Sequence, residues 1–240
     1  MTQPVIPKTA MLLAAGRGER MRPITDTTPK PLIKVGGIAM LDRMLDSLSR
    51  VGVKQAVVNA WHLADQIDSH LASRDAPAVT VVHETELLET GGGVANALPL
   101  LGDTAFYVAN SDIVILDGVE PAARRLAAAW RDDAMDALLL MHRTVQAFGY
   151  DGTGDYTVAP DSRLTRRTEH QIAPYLFAGL QILHPRLFED CPSGAFSLNL
   201  LYDRAQQAGR LYGVVHDGEW LHVGTPQALE AVERHMHEIG

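Results

Sequence analysis

The feature that most constrains this chain is an apolar run that leads almost directly into a glycine-rich turn. Residues 10–14 read Ala-Met-Leu-Leu-Ala, and Gly16-Arg17-Gly18 follows after one residue. An apolar run bounded by glycines is typical of a buried strand in a parallel sheet. Glycines let the backbone turn sharply and approach a ligand, and successive free N–H groups form a concavity that binds anions. The start of the chain therefore predicts a strand followed by a phosphate-binding turn.

Basic residues gather just after this turn. Arg17, Arg20 and Arg22 are close in sequence, and Lys30 stands between two prolines. Proline restricts its own backbone and that of the residue before it, so Lys30 should sit on a stiff, non-helical segment. The formal net charge of the chain is −8, so no global basic field exists to hold a nucleic acid. The positive charge is local, as a phosphate pocket requires.

The remaining composition points to a cytoplasmic protein without a membrane partner. The single cysteine, Cys191, excludes an intrachain disulfide and fits a reducing compartment. The first ten residues lack the charged and apolar regions of a signal peptide. No run approaches the ~20 apolar residues of a transmembrane helix.

Strand and helix patterns alternate up to about residue 142. Apolar spacing predicts helices over 39–51, 63–71, 94–101 and 119–131, and strands over 53–59, 79–83, 106–109 and 137–141. Gly91-Gly92-Gly93 is expected to open the helix over 94–101. This alternation predicts an α/β fold with a Rossmann-like, doubly wound, mostly parallel sheet.

The pattern changes in the second half. Short hairpin strands are expected within 148–167, followed by a strand over 176–183, a helix over 198–208 and strands over 211–215 and 220–223. A closing helix over 226–236 would begin after Thr225, a suitable N-cap. No linker separates the halves, so one domain with a mixed sheet is expected over 1–240.

Ligands of open α/β sheets bind at the carboxyl ends of strands, near the point where strand order reverses. Three predicted strand ends meet this condition: the Gly16 turn, the segment 83–93 and Asn110-Ser111-Asp112. A carboxylate beside a phosphate turn suits a divalent cation. Spacing alone favours the other interpretation of Asp112, a turn or capping residue.

The string from Leu13 to Leu32, LAAGxGxRMxPxTxxxPKPL, resembles the signature of the sugar-1-phosphate nucleotidylyltransferases, the nucleotide-sugar pyrophosphorylases. The resemblance implies the nucleotide-diphospho-sugar transferase fold, with a nucleotide-binding half over about 1–142 and a sugar-binding half over about 143–240. It also implies that a nucleoside triphosphate and a sugar 1-phosphate are joined to an NDP-sugar with release of pyrophosphate.

The same resemblance assigns the phosphate-handling residues. Arg20 is expected to stabilise charge on the leaving pyrophosphate, and Lys30 to meet the α-phosphate or the sugar phosphate. Glu84 takes the position of a base-reading side chain, whose carboxylate would accept a hydrogen bond from the N3–H of uracil or the N1–H of guanine. A place for Glu84 in an acidic, solvated loop is an equal alternative. The nucleotide-binding residues expected on this basis are Ala14, Ala15, Gly16, Arg17, Gly18, Glu84, Thr90 and Gly91.

Two further sets follow from the resemblance. Asp112 should hold Mg²⁺, with Mn²⁺ as a possible substitute. The family's Trp-x-Asp-x-Gly-Thr-Pro element reads Trp-Leu-His-Val-Gly-Thr-Pro here, so His222 replaces the second metal ligand. It would bind the metal directly, hold a metal-bound water, or leave the ion to Asp112 and the phosphates; a packed histidine is the alternative. The expected sugar-binding residues are Asn110, Gly149, Glu169 and Gly179, although a surface-loop interpretation of Glu169 is preferred.

The segment from Leu88 to Gly93 resembles the N-acetylmuramate 1-phosphate uridylyltransferase branch, which serves cell-wall recycling. UTP is therefore the expected nucleotide and N-acetylmuramate 1-phosphate the expected acceptor, with GTP and mannose 1-phosphate as the runner-up pair. Two further functions stay open: a cytidylyltransferase for an alcohol phosphate, and a non-catalytic nucleotide-sugar sensor. A monomer or a homodimer is expected.

Overall fold

The computed structural model describes residues 6–239. Half of the segment 1–10, which is not expected to be a signal peptide, therefore lies outside the described residues. The first half contains β1 (Thr9–Leu13), β2 (Lys34–Val35), β3 (Ile38–Ala39), α1 (Met40–Val51), β4 (Gln55–Ala60), α2 (Ala64–Leu71), β5 (Ala78–His83), α3 (Glu89–Leu101), β6 (Phe106–Asn110), β7 (Val114–Leu116), α4 (Ala122–Ala129) and β8 (Ala137–Arg143). The second half contains β9 (Tyr156–Val158), β10 (Leu164–Arg166), β11 (Tyr175–Leu183), α5 (Asn199–Gln207), β12 (Leu211–Val215), β13 (Glu219–Leu221) and α6 (Pro226–Ile239).

One sheet, of nine strands within the described residues, forms the centre of the molecule. The order β5-β4-β1-β6-β11 continues to β8 and β12, and the β9–β10 hairpin branches from β11. Strands β5, β4, β1 and β6 are parallel, whereas β11 runs antiparallel to both β6 and β8. The α/β, Rossmann-like prediction is confirmed, including the change to a mixed sheet in the second half.

Helices cover both faces of this sheet. The apolar side chains of α1, including Leu41, Leu45 and Leu48, are fully buried in a cluster that also contains residues of α2 and α4. On the opposite face, α3 and α5 bury a second cluster that includes Val94 and Leu201. The helical spacing of these residues therefore becomes the contact surface with the sheet.

The order of the strands creates the crevice in which a ligand can bind. From β1 the chain passes to β4 and β5 on one side, and it then returns to β6 on the other side of β1. Helices that connect strands in opposite directions lie on opposite faces of the sheet, so a gap opens at the carboxyl ends of β1 and β6.

Two predicted helix boundaries are wrong, for local reasons. Helix α3 begins at Glu89, so the three glycines lie inside its first turns rather than before it. Helix α4 is shorter than expected because Pro121 precedes it, the Ala122 N–H donates to the Asp117 carboxylate, and the backbone is extended again at Trp130. The N-cap prediction for the closing helix is supported, since the Ala228 N–H donates to the Thr225 hydroxyl at 3.2 Å. None of the helices in residues 6–239 has the length and apolar character that crossing a bilayer would require.

The glycines of α3 allow the segment 194–198 to pack directly on the helix. The Gly91 and Gly92 N–H groups both donate to the Phe196 carbonyl oxygen, at 2.8 and 3.1 Å. A Cβ on Gly91 would overlap the Phe196 ring, and a Cβ on Gly92 would overlap the Gly194 carbonyl group. Small side chains are therefore required here by packing between two backbones.

We expect Gly92→Ala to lower the free energy of unfolding by about 1–3 kcal/mol, because the added methyl group must displace the backbone at Gly194. Urea denaturation checks this value. Gly16→Ala is the matched control, since a Cβ there would meet no atom within 4 Å. Equal stability of the Gly92→Ala variant and the control would show that the segment 194–198 does not pack this tightly in solution.

Candidate active site

A cleft of about 710 Å³ opens at the crevice between β1 and β6. Its wall contains the turn after β1, the Lys30 segment, the ends of β4 and β6, and the start of α3. The predicted site residues that line it are Ala14, Ala15, Gly16, Arg17, Gly18, Arg20, Lys30, Glu84, Thr90, Asn110 and Asp112.

The turn after β1 presents backbone N–H groups that have no acceptor in residues 6–239. No hydrogen bond in the described part of the chain uses the backbone N–H groups of residues 15–18. Gly18 has a left-handed backbone (φ 63°), and its carbonyl oxygen accepts hydrogen bonds from the Met21 N–H at 2.8 Å and the Thr25 hydroxyl at 2.9 Å. Since a Cβ on Gly18 would lie 2.9 Å from Thr25, only glycine fits this position. The arrangement leaves successive donors free at the cleft, as a phosphate chain requires.

Two arginines add positive charge at different places. Arg20 is exposed and lines the cleft. The Arg17 guanidinium lies 4.8 Å from the centre of the Trp61 ring and 3.8 Å from the Glu19 carboxylate. Stacking on an aromatic face restrains Arg17 at the rim, while Arg20 remains available to a ligand.

Lys30 and Asp112 form an ion pair in the wall of the cleft. The Lys30 ammonium group donates to the Asp112 carboxylate at 2.7 Å. The Lys30 side chain is only 10% exposed, whereas that of Asp112 is 38% exposed. A largely desolvated cation with a single partner is favourable only while it is neutralised, so an anion that enters the cleft would find a fixed positive charge beside it.

The end of β1 is bonded to its neighbours on both sides. The Ser111 N–H and hydroxyl groups both donate to the Leu13 carbonyl oxygen. The Ala14 N–H donates to the Asn59 side chain at 2.7 Å, so this backbone donor is not free for a phosphate. The predicted involvement of Ala14 in nucleotide binding is therefore limited to contact through its other atoms.

Apart from His222, four predicted site residues lie outside the cleft wall. Gly91 is covered by the Phe196 backbone, and Glu169 is exposed in a loop where its carbonyl oxygen accepts a hydrogen bond from Arg167. A Cβ on Gly149 would meet the His222 backbone, and a Cβ on Gly179 would meet the Asn110 side chain. Gly179 therefore lies against Ile113 and Asn110, of which Asn110 lines the cleft, and direct contact of Gly91 with a nucleotide stays a prediction.

His222 is packed rather than presented to the cleft. Its ring stacks on the Trp220 ring with centroids 5.6 Å apart and planes inclined by 19°, and it is edge-on to Tyr150. The ring also lies against Gly224, which does line the cleft. Burial, followed by the charges of Lys30 and Arg20, lowers the pKa of His222 below its ordinary value. A metal ligand must also be a neutral imidazole, so the lowered pKa does not separate the two interpretations. The packing against Trp220 and Tyr150, away from the cleft wall, favours the packed histidine.

The residues of the cleft nevertheless fit a divalent cation that is shared with a substrate. No group of three or more His, Cys, Asp or Glu side chains between residues 6 and 239 is arranged to hold a metal by itself. Mg²⁺, however, is commonly held by one or two carboxylates together with substrate phosphates and water. Asp112 supplies such a carboxylate opposite the free N–H groups of the turn.

Sequence reasoning missed several residues of the site, among them Asn59 and Ser197. Asn59 is 3% exposed at the end of β4 and bonds to the turn, yet its sequence context is an ordinary buried strand. Ser197 lines the cleft because the Leu198 N–H donates to the Thr90 hydroxyl at 3.0 Å and holds its segment on α3. No local motif marks Ser197, since only the packing of 194–198 on α3 brings it to the cleft.

The fold and this cleft define a nucleotidyltransferase, and the chain belongs to the nucleotidyl transferase family, which matches residues 9–239. It is 40% identical to the N-acetylmuramate alpha-1-phosphate uridylyltransferase of Caulobacter vibrioides over 97% of this chain and 98% of the relative. The enzyme of the same name from Neisseria meningitidis serogroup B is 36% identical over 93% of this chain and 96% of the relative. The predicted family is therefore confirmed.

More distant relatives share the fold. The mannose-1-phosphate guanylyltransferase catalytic subunit beta of Danio rerio is 24% identical over 91% of this chain and 61% of the relative. The inositol-1-phosphate CTP transferase of T. maritima superimposes with a TM-score of 0.79 at 18% identity, over 98% of this chain and 97% of that chain. A UDP-glucose pyrophosphorylase complexed with UDP-glucose gives a TM-score of 0.78 at 14% identity, over 97% and 99% of the two chains.

Beside the stacked Trp220, His142 and His216 form a buried pair that should make stability depend on pH. Each is 2% exposed, and their rings are 6.0 Å apart. Burial is the main cause that lowers the pKa of both imidazoles below 6.5. Because the unfolded chain then takes up these protons at a higher pH than the folded protein, stability should be retained at neutral pH and lost as the pH falls below about 6.5.

We therefore expect the free energy of unfolding to decrease between about pH 7.5 and pH 5.5, as measured by urea denaturation. His216→Gln should reduce this dependence, since the amide can keep the hydrogen bond to the Leu116 carbonyl oxygen but does not titrate. His237→Gln, at an exposed position, is the control and should leave the dependence unchanged. An unaltered pH dependence in His216→Gln would contradict this account.

Proposed function

We propose that this protein transfers a uridylyl group from UTP to N-acetylmuramate 1-phosphate and releases pyrophosphate. The single observation that carries this proposal is the 40% identity to a uridylyltransferase of that specificity across nearly the whole of both chains. The cleft supports it, because free backbone donors, three cationic side chains (Arg17, Arg20 and Lys30) and the Asp112 carboxylate lie in the wall of a space suited to a triphosphate. A role in nucleotide-sugar biosynthesis for peptidoglycan recycling would follow.

The chemistry needs positioning and charge neutralisation more than a strong base. A phosphate oxygen of the sugar 1-phosphate attacks the α-phosphorus of UTP, and the bond to the leaving pyrophosphate breaks. The nucleophile is already anionic, so no proton has to be removed. The N–H groups of residues 15–18 would bind the triphosphate, Arg20 would stabilise the leaving pyrophosphate, and Lys30 would contact the α-phosphate or the sugar phosphate.

Asp112 would hold Mg²⁺, or Mn²⁺ in its place, together with the substrate phosphates. When bound, the cation would neutralise phosphate charge. The Lys30 ammonium group and the Asp112 carboxylate are 2.7 Å apart, so Lys30 and a cation held by Asp112 would be close together at the end of β6. We leave His222 out of the proposed metal site, because it does not line the cleft that contains Asp112.

The sugar would lie on the β6 and β11 side of the cleft. Asn110 lines the cleft there and is the proposed contact, while Gly179 gives the Asn110 side chain its room. Gly149 and the exposed Glu169 stay predictions, as do the cytoplasmic location and the choice between a monomer and a homodimer.

The competing functions differ in nucleotide and acceptor. Transfer of guanylyl to mannose 1-phosphate is the runner-up, because guanylyltransferases are among the relatives, although at 24% identity. Cytidylyl transfer to an alcohol phosphate is the third candidate. A sensor that binds nucleotide without turnover is the fourth, and the absence of the second metal-binding Asp at position 222 is its only support.

We expect pyrophosphate release with UTP, N-acetylmuramate 1-phosphate and Mg²⁺ to exceed that of any other pairing by at least about tenfold in kcat/KM, as loss of one preferred polar contact would give. The panel pairs UTP, GTP and CTP with N-acetylmuramate 1-phosphate, mannose 1-phosphate and phosphocholine. A preference for GTP with mannose 1-phosphate would replace the proposal by the runner-up. Nucleotide binding with no release of pyrophosphate from any pair would favour the sensor.

We expect Arg20→Ala to reduce turnover about a hundredfold or more without loss of stability, because it removes a preformed positive charge from the leaving pyrophosphate. Steady-state pyrophosphate release measures the effect. Arg22→Ala is the matched control: Arg22 is exposed, pairs with Asp26 at 3.1 Å and does not line the cleft. Turnover of Arg20→Ala within twofold of the control would remove Arg20 from the mechanism.

A further inference from the structure

Three strand ends are joined beneath the cleft by one buried hydrogen-bond chain. The Ala14 N–H donates to Asn59 Oδ1 at 2.7 Å, and Asn59 Nδ2 donates to Glu84 Oε1 at 2.6 Å. The Leu88 N–H then donates to Glu84 Oε2 at 3.1 Å. These three hydrogen bonds therefore connect the turn after β1, the end of β4, the residue after β5 and the segment that enters α3.

Each group in this series of hydrogen bonds fixes the orientation of the group that follows it. A backbone N–H can only donate, so the Asn59 side chain must turn its oxygen towards Ala14. Its amide nitrogen consequently points at Glu84, whose near oxygen must accept, and the Leu88 N–H requires the far oxygen to accept as well. An ionised carboxylate satisfies both donors, whereas a side-chain amide at position 84 would set two donors against each other.

The Asn59 and Glu84 side chains are buried and closely packed. Asn59 is 3% and Glu84 7% exposed. A Cβ on Gly93 would lie 2.9 Å from Asn59 Nδ2 and 3.0 Å from Glu84 Oε1, so α3 packs directly against the hydrogen bond. Neither partner can turn away into another arrangement without moving the helix.

Within residues 6–239 the Asn59–Glu84 pair is not bonded to the other charged side chains of the cleft wall. The charged side chains of the cleft wall, besides Glu84 itself, are Arg17, Glu19, Arg20, Lys30, Glu89 and Asp112. Within residues 6–239 none of them forms a hydrogen bond or an ion pair with Asn59 or Glu84, and the neighbouring His83 on β5 pairs with Asp68 instead.

We propose that Asn59 and Glu84 are positioning residues, which fix the phosphate-binding turn and the entry to α3 in one geometry through the Ala14 and Leu88 N–H groups. This inference rests on the proposed function of the cleft. It changes the interpretation of Glu84, because each of its oxygens already accepts a hydrogen bond within the protein, so the fold and not a nucleotide base sets the orientation of the carboxylate. The carboxylate at position 84 then matters for the shape of the nucleotide site and not for the choice of UTP over GTP.

The first test is Asn59→Asp, which is nearly isosteric but replaces the donor that faces Glu84 by an acceptor. Two carboxylate oxygens about as close as the present 2.6 Å contact cannot both stay ionised without displacing the turn. We expect the dissociation constant of UTP to rise at least about tenfold at pH 8, as loss of a charge-assisted buried hydrogen bond would give. At about pH 5.5 one shared proton restores the missing donor, so UTP affinity should return to within about threefold of the wild type at that pH.

The second test exchanges the two groups. In the double variant Asn59→Asp with Glu84→Gln, the new carboxylate accepts from the Ala14 N–H and from the new amide nitrogen at position 84. The amide oxygen at position 84 then accepts from the Leu88 N–H, so every donor has a partner again. We expect Glu84→Gln alone to weaken UTP binding at least about tenfold, and the double variant to restore it to within about threefold at pH 8.

Isothermal titration with UTP, thermal unfolding and the ratio of UTP to GTP affinity are measured for all four proteins. A strong positive coupling between the two substitutions, with the UTP to GTP ratio unchanged, supports the inference. Wild-type affinity of Asn59→Asp at pH 8, additive losses in the double variant, or a changed base preference in Glu84→Gln would overturn it. If the wild type binds UTP but no sugar 1-phosphate supports pyrophosphate release, the proposed function fails while this inference stands.

Discussion

The peptide that joins Leu13 to Ala14 is the point on which the site depends. Its carbonyl oxygen accepts two hydrogen bonds from Ser111, and its N–H donates to Asn59. The two partners lie at the ends of the strands that flank β1, so the plane of this peptide is fixed from both sides of the sheet. Because a peptide unit is planar, this plane fixes the direction in which the chain enters the turn. The orientation of the free N–H groups of residues 15–18 depends on that direction.

Close packing of backbones supplies the second constraint. Gly91 and Gly92 allow the segment 194–198 to lie on the first turns of α3, and Gly93 allows the helix to approach Asn59 and Glu84. A run of glycine is unfavourable within a helix, by roughly 0.5–1 kcal/mol for each residue relative to alanine. The fold keeps all three because one side of the helix meets a loop and the other meets a buried hydrogen bond. This cost is offset by contacts that no larger residue permits.

Charge in the cleft is arranged in two layers. The Lys30 ammonium group is largely buried and pairs at 2.7 Å with the partly exposed Asp112, whereas Arg17 and Arg20 are exposed at the rim. Exposed charges are screened by water and salt more strongly than a buried one. On the proposed function, the rim would attract an anionic substrate over a short range, and Lys30 would bind its phosphate. The surplus of acidic residues elsewhere on the chain leaves this attraction confined to the cleft.

The sheet, the family and the glycine turn after β1 could be predicted from the sequence, because they depend on local order: an apolar run, a glycine spacing and a Lys between prolines. It could not find Asn59 or Ser197, nor show that Gly91 is covered by Phe196, since those partners are at least 45 residues apart in the chain. Glu84 shows the difference most clearly. Its motif placed it at the nucleotide, and only the folded chain, which brings three strand ends together, shows that its two oxygens are already bonded.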